Sequence, residues 1–100
     1  MKQLNNMQKQ HLRRLAHDLR PAVQIGKNGL TDQIHMTIEH ELNAHELIKI
    51  KFMDFKDEKQ QLTEELAEAS NGALIGLIGN VAILYREQPD PEKRQIKLPA

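Results

Sequence analysis

The chain has 100 residues, 39% of them hydrophobic and 28% charged, with no cysteine and a formal net charge of zero. That size suits one domain around one core, and the missing thiols exclude disulfides, cysteine-ligated metals and a cysteine nucleophile. No apolar run approaches the roughly 20 residues of a membrane span, and the start, MKQLNNMQKQHLRR, lacks the apolar core of a secretory signal, so a cytoplasmic protein with no membrane partner is expected.

Leu12, Leu15, Ala16 and Leu19 recur at helical spacing and predict a first amphipathic helix from about Asn5. Asn5 and Gln8 form a capping-box pattern, and Pro21 is expected to end the element by pushing Arg20 out of the helical region. Lys9 and Arg13 share a line beside the leucine stripe, which Arg20 extends past the helix end. PAVQI alternates as a short strand. After Gly26-Lys27-Asn28-Gly29, Thr31 as N-cap and Asp32 in the first turn open a second helix, with Leu30, Ile34, Ile38 and Leu42 as its apolar line.

ELIKIKF reads as a second strand, with Ile48, Ile50 and Phe52 on one face and Lys49 and Lys51 on the other. A polar third helix is expected over about Lys56 to Ser70, buried through Leu62, Leu66 and Ala69 and stopped near Asn71-Gly72. ALIGLIGNVAILYR reads as two strands joined at Gly79-Asn80. In the proline-containing tail, Ile96 and Leu98 are expected to dock as a short edge. The order of elements, without an internal repeat, predicts a single α+β domain over residues 1–100, with a core at about 5–86, a tail at 87–100 and a mixed sheet.

The neutral total conceals an uneven distribution. Through Leu30, the bases Lys2, Lys9, Arg13, Arg14, Arg20 and Lys27 stand against Asp18 alone, a net +5, whereas the remaining residues carry eight bases and thirteen acids, a net −5. Such a division hints at a nucleic-acid or membrane contact, although a solvated helix face can also be basic. The glycine-x-x-glycine tetrapeptide Gly26 to Gly29 lies in the basic part. It is polar inside and precedes a helix start, where backbone N–H groups can approach an anion, with Lys27 adding charge and Asn28 an amide. By local chemistry alone a tight strand-to-helix turn is the stronger reading. A second such tetrapeptide, Gly76 to Gly79, encloses Leu77 and Ile78 and reads as a bend or relief of crowding within a strand.

Other chemistry finds little material. Gly29 is followed by Leu30, so no phosphate-binding Walker loop exists. His40-Glu41 is followed by His45, one residue too late for the helical zinc motif, which leaves the two rings about 140° apart. Ser70 is the only serine and reads as a helix-ending residue, and Glu64, Glu65 and Glu68 read as a solvated acidic face. Three aromatic residues, Phe52, Phe55 and Tyr85, are few for a base-stacking platform. No enzyme, cofactor, metal or small-molecule substrate is expected.

Taken in order, QKQHLRRLAHDLRPAVQIGKNGLTDQI, HELIKIKF, GNVAILYR and RQIKLPA resemble the stand-alone bacterial YhbY-type members of the CRM-domain family, over nearly the whole chain. The resemblance implies an α-β-α-β-α-β-β fold with a four-stranded mixed sheet, similar to the C-terminal domain of bacterial translation initiation factor three. It also implies RNA binding and association with precursors of the large (50S) ribosomal subunit; separately from the resemblance, a monomer is favoured, though the sequence does not set the oligomeric state. The RNA contact the resemblance implies is Gly26, Lys27, Asn28 and Gly29, with Arg13, Arg14 and Arg20 matching upstream basic positions; Lys9 joins them from its line on the first helix. One departure stands out: the family commonly has glycine-lysine in the last hairpin, and this chain has Gly79-Asn80. The alternative reading is a protein-interaction module that docks a basic partner on the acidic third helix.

Overall fold

The computed structural model describes residues 3–100; Lys2, counted above among the leading bases, lies outside them. Helix α1 (Asn6–Ala16) opens with the expected reciprocal cap. Gln8 N donates to Asn5 Oδ1 at 2.8 Å, and Asn5 N donates to Gln8 Oε1 at 3.0 Å. The helix ends at Ala16 and not at Pro21, because Pro21 is already the first residue of strand β1 (Pro21–Ile25). The carbonyls of His17 and Leu19 in the link accept from Lys49 Nζ at 3.1 and 3.0 Å, so a lysine from the neighbouring strand satisfies part of the chain past the helix end. The early stop narrows the buried seam to Leu12 and Ala16. Leu15 and Leu19, expected in the same stripe, are 41% and 39% exposed.

Helix α2 (Asp32–His45) carries the chain from β1 to the parallel strand β2 (Leu47–Phe52). A 3₁₀ turn at Lys56–Glu58 then leads into helix α3 (Lys59–Ser70). The expected third helix therefore spans Lys56–Ser70 with its first turn 3₁₀ and the rest α, and Phe55 in front of it sits in the left-handed region at φ 55°. In α3, Ala67 is buried in place of Ala69. Thr63 and Ser70 are buried as well, their hydroxyls donating to the carbonyls of Lys59 and Leu66 at 2.6 and 2.7 Å. Asn71, at φ 57°, ends the helix, and Gly72 N donates to Ala67 O at 2.8 Å.

Strands β3 (Ala73–Ile78) and β4 (Val81–Tyr85) form the expected hairpin, giving a mixed sheet in the order β1-β2-β4-β3. The α+β fold with three helices and a four-stranded mixed sheet is thus as expected. On one side α2 and α3 cover Val23, Ile25, Ile48, Ile50, Phe52, Ala82 and Leu84. On the other, α1 covers Leu47, Ile75, Ile83 and Tyr85, joined by Ile96 and Leu98 of the tail.

The tail forms no strand. A buried carboxylate holds it instead: Glu46 Oε1 accepts from Gln95 N at 2.7 Å and Ile96 N at 3.0 Å, and Oε2 accepts from Gln88 N at 2.8 Å. Three charge-assisted bonds to one side chain replace the edge ladder that Ile96 and Leu98 were expected to form.

Tyr85 is buried, and among the described residues its hydroxyl is the one buried side-chain polar atom without a hydrogen-bond partner. Burial, reinforced by the negative charges of Glu46 and Glu87, raises its pKa to about 12. The folded protein keeps this proton at pH values where the unfolded chain, near pKa 10, has lost it. The associated stability is fully present below about pH 10 and lost between about pH 10 and 12, with an upper bound of about 2–3 kcal/mol. Urea unfolding at stepped pH is expected to show this decline in the wild type. A Tyr85→Phe variant should lack it and be no less stable at neutral pH, since it removes an unpaired buried hydroxyl.

Candidate nucleic-acid interface

Gly26 to Gly29 forms a closed turn at the exit of β1, with Gly29 N donating to Gly26 O at 3.0 Å. Gly29 lies at φ 67°, whereas a side chain at Gly26 would meet nothing within 4 Å. Gly26, Lys27 and Asn28 are exposed. The start of α2 is less open to an anion than the sequence implied. Thr31 caps it as expected, its Oγ1 accepting from Ile34 N at 3.1 Å, and Asp32 places a carboxylate in the first turn. Lys27 and the backbone around Asn28 are what the turn offers a ligand.

Lys9, Arg13, Arg14 and Arg20 all lie on or beside the single-helix side of the sheet. Helix α1 holds Lys9, Arg13 and Arg14 and no acid, while α2 and α3 hold Asp32, Glu39, Glu41, Glu64, Glu65 and Glu68 against Lys59. The uneven charge along the chain has become a difference between the two faces of the domain. Helix α1 ends at Ala16, so Arg20 lies beyond the helix end, as expected, on the link into β1. Arg13 reaches edge strand β3, where Nε donates to Ile75 O at 3.3 Å. Lys9 lies in a shallow depression with Glu68 and Asn71. Arg20 lines a groove with Leu15, Leu19 and Glu41 at the start of β1, about 16 Å of strand away from the glycine turn. Arg14 is exposed on α1.

Gly76 has a clear packing role. A Cβ there would come within 3.3 Å of Arg13 Nε, and the register shifts between Leu74 and Gly76. The second glycine-x-x-glycine thus relieves crowding within a strand, as its apolar interior implied.

Three features emerge from the register and tertiary contacts. Gln24, Lys51, Val81 and Ile78 align across all four strands, on the α1 side but beyond the reach of α1. Gln24, Lys51 and Ile78 are exposed and Val81 is half-buried. At the hairpin, Lys59 Nζ donates to Gly79 O at 2.7 Å and to Asn80 Oδ1 at 3.3 Å. A lysine ammonium therefore reaches this turn from α3, although the turn has no lysine of its own. Finally, the ring of Phe55 lies against Gly29: a Cβ at Gly29 would meet Cε2 at 3.5 Å and Cζ at 3.7 Å. Lys51 was legible as the polar face of ELIKIKF; the other placements depend on folding.

No group of three or more histidine, cysteine, aspartate or glutamate side chains that could hold a metal occurs among the described residues. His45 is paired with Glu41 at 3.3 Å.

The chain belongs to the CRS1/YhbY (CRM) domain family, whose model matches residues 4–86. It is 39% identical over 100 residues to a Haemophilus influenzae protein named "RNA-binding protein", covering 99% of this chain and 98% of the relative. It is 38% identical over 97 residues to the Bacillus subtilis "Probable RNA-binding protein YqeI", covering 96% and 99%. The solution structure of SAV1595 from Staphylococcus aureus superposes with a TM-score of 0.78 at 34% identity, over 95% of this chain and 100% of that one.

The two glycines of the turn should respond differently to substitution. Gly29→Ala forces a left-handed alanine and is expected to cost about 1–2 kcal/mol. Gly26→Ala, facing open space, should stay within about 0.5 kcal/mol of wild type. Chemical denaturation of the two variants checks the order; equal losses would contradict the turn geometry.

Proposed function

We propose that this protein is a non-catalytic RNA-binding protein that contacts RNA with the α1 side of its sheet and the Gly26–Gly29 turn. The observation that carries the reading is the separation of charge between the faces, joined to membership of a family whose named relatives are RNA-binding proteins. Lys27 holds phosphate at the turn. Arg13 and Arg14 on α1, with Lys51 on the uncovered sheet row, extend the basic contact across the face. Gly26 and Gly29 keep the turn small enough for a sugar–phosphate backbone to approach. Lys9 and Arg20, at the margins, act through longer-range attraction. The acids of α2 and α3 repel RNA from the opposite face, which favours one orientation on the particle.

The partner we propose is ribosomal RNA within precursors of the large (50S) subunit, met in the cytoplasm by a monomeric assembly factor. The neutral total charge fits a local grip better than a broad electrostatic one. Lys27→Glu should weaken RNA binding by roughly tenfold or more without altering the fold. Each phosphate neutralised on single-stranded RNA should add about 0.7 to the log–log salt slope, and affinity that ignores salt would contradict the reading. In a low-salt gradient of native lysate, the chain should sediment with large-subunit precursors and leave them after ribonuclease. Failure to enter any ribonuclease-sensitive particle would remove the ribosomal assignment.

A second reading has one observation in its favour. Glu64, Glu65 and Glu68 are exposed on α3, and none takes part in an ion pair among the described residues. A basic protein partner docked there would be lost on charge reversal of the three, with RNA affinity intact.

A further inference from the structure

Phe55 is a large apolar residue in a position that neither backbone preference nor burial accounts for. Its φ of 55° suits asparagine or glycine, and it remains 36% exposed. Strained residues of this kind cluster where something binds. Two contacts fix it beside the glycine turn. The ring lies against Gly29, and the backbone is anchored by Asp54 N donating to Ile25 O at 3.2 Å and Phe55 N donating to Asp54 Oδ1 at 2.8 Å.

Charge distinguishes what the ring can meet. The segment Met53–Glu58 carries Asp54, Asp57 and Glu58 against Lys56, so a phosphate is disfavoured there. An uncharged nucleobase is not, and an aromatic ring presents it a π-face. Lys27, in the Gly26–Gly29 turn that the ring touches, supplies a cation for the adjoining phosphate.

We propose that Phe55 stacks on an unpaired base, so that the site takes a single-stranded or looped RNA segment in preference to continuous duplex. The inference rests on the RNA-binding reading above and adds its substrate class. A base within a duplex has both faces occupied by its neighbours; only an unstacked base reaches the ring. Phe55 thus acts as a specificity residue next to a phosphate-binding turn, a role that the count of three aromatics in the chain had obscured.

The chain has no tryptophan, so Phe55→Trp introduces a single indole at the site. The probes are a stem–loop RNA and a blunt duplex of the same stem, with wild-type binding followed by anisotropy of labelled RNA. Phe55→Trp should bind the stem–loop and show emission quenching with it, but not with duplex. Phe55→Asn, which suits the left-handed backbone and keeps the fold, should lose roughly five- to 150-fold in stem–loop affinity, collapsing the preference for it. Wild-type affinity in Phe55→Asn, or unquenched indole in a saturated complex, would overturn the stacking while leaving the RNA-binding reading in place. A wild type that binds both RNAs equally would do the same. A wild type that binds neither would overturn both.

Discussion

Ile25 O accepts two N–H groups, from Met53 at 2.9 Å and Asp54 at 3.2 Å, where β1 and β2 end side by side. This junction closes a parallel strand pair, and parallel strands require a long crossover, which α2 supplies. Because the strands are parallel, both of their exits lie at one end of the sheet. β4 runs antiparallel to β2, so the β3–β4 turn reaches that end too, with Phe52 N donating to Asn80 O at 2.8 Å. Three connections from distant parts of the sequence thereby converge: the glycine turn, the Met53–Phe55 segment and the Gly79-Asn80 hairpin. Lys59 ties the last of these to the start of α3. The site is a consequence of strand direction before it is a consequence of any one side chain.

The same topology sorts the charge. A lone helix on one face and a pair on the other let the basic α1 and the acidic α2 and α3 occupy opposite sides. Helix α1 covers only part of its face and leaves Gln24, Lys51 and Ile78 of the row exposed, with Val81 half-buried among them. The tail, pinned by Glu46, adds Ile96 and Leu98 to the α1-side core without extending the sheet. A protein of zero net charge can in this way present a basic surface to one partner and an acidic surface to the solvent or to another.

Local rules made the order of elements, the Asn5 and Thr31 caps, the Asn71 stop and the hairpin legible in the sequence, because each depends on residues a few positions apart. They failed where distant residues intervene. Helix α1 stops at Ala16, earlier than the leucine spacing implied, and Lys49 from β2 takes up the His17 and Leu19 carbonyls beyond it. The buried Glu46 replaces an expected edge strand. At the candidate site, the glycine turn and Arg13 could be named from sequence. The uncovered row, the Lys59 ammonium at the hairpin and the Phe55–Gly29 contact need register and tertiary packing, which no periodicity encodes. At the start of α2, Thr31 caps the Ile34 N–H and Asp32 adds a carboxylate, both legible from spacing.

The most direct measurement is amide chemical-shift mapping of isotopically labelled protein titrated with a stem–loop RNA at low salt. Perturbations should concentrate on Gly26–Gly29, Arg13, Arg14, Lys51 and Phe55, and leave the outward residues of α2 and α3 unmoved. Shifts centred on Glu64, Glu65 and Glu68, or spread evenly over both faces, would contradict an RNA surface built on the α1 side of the sheet.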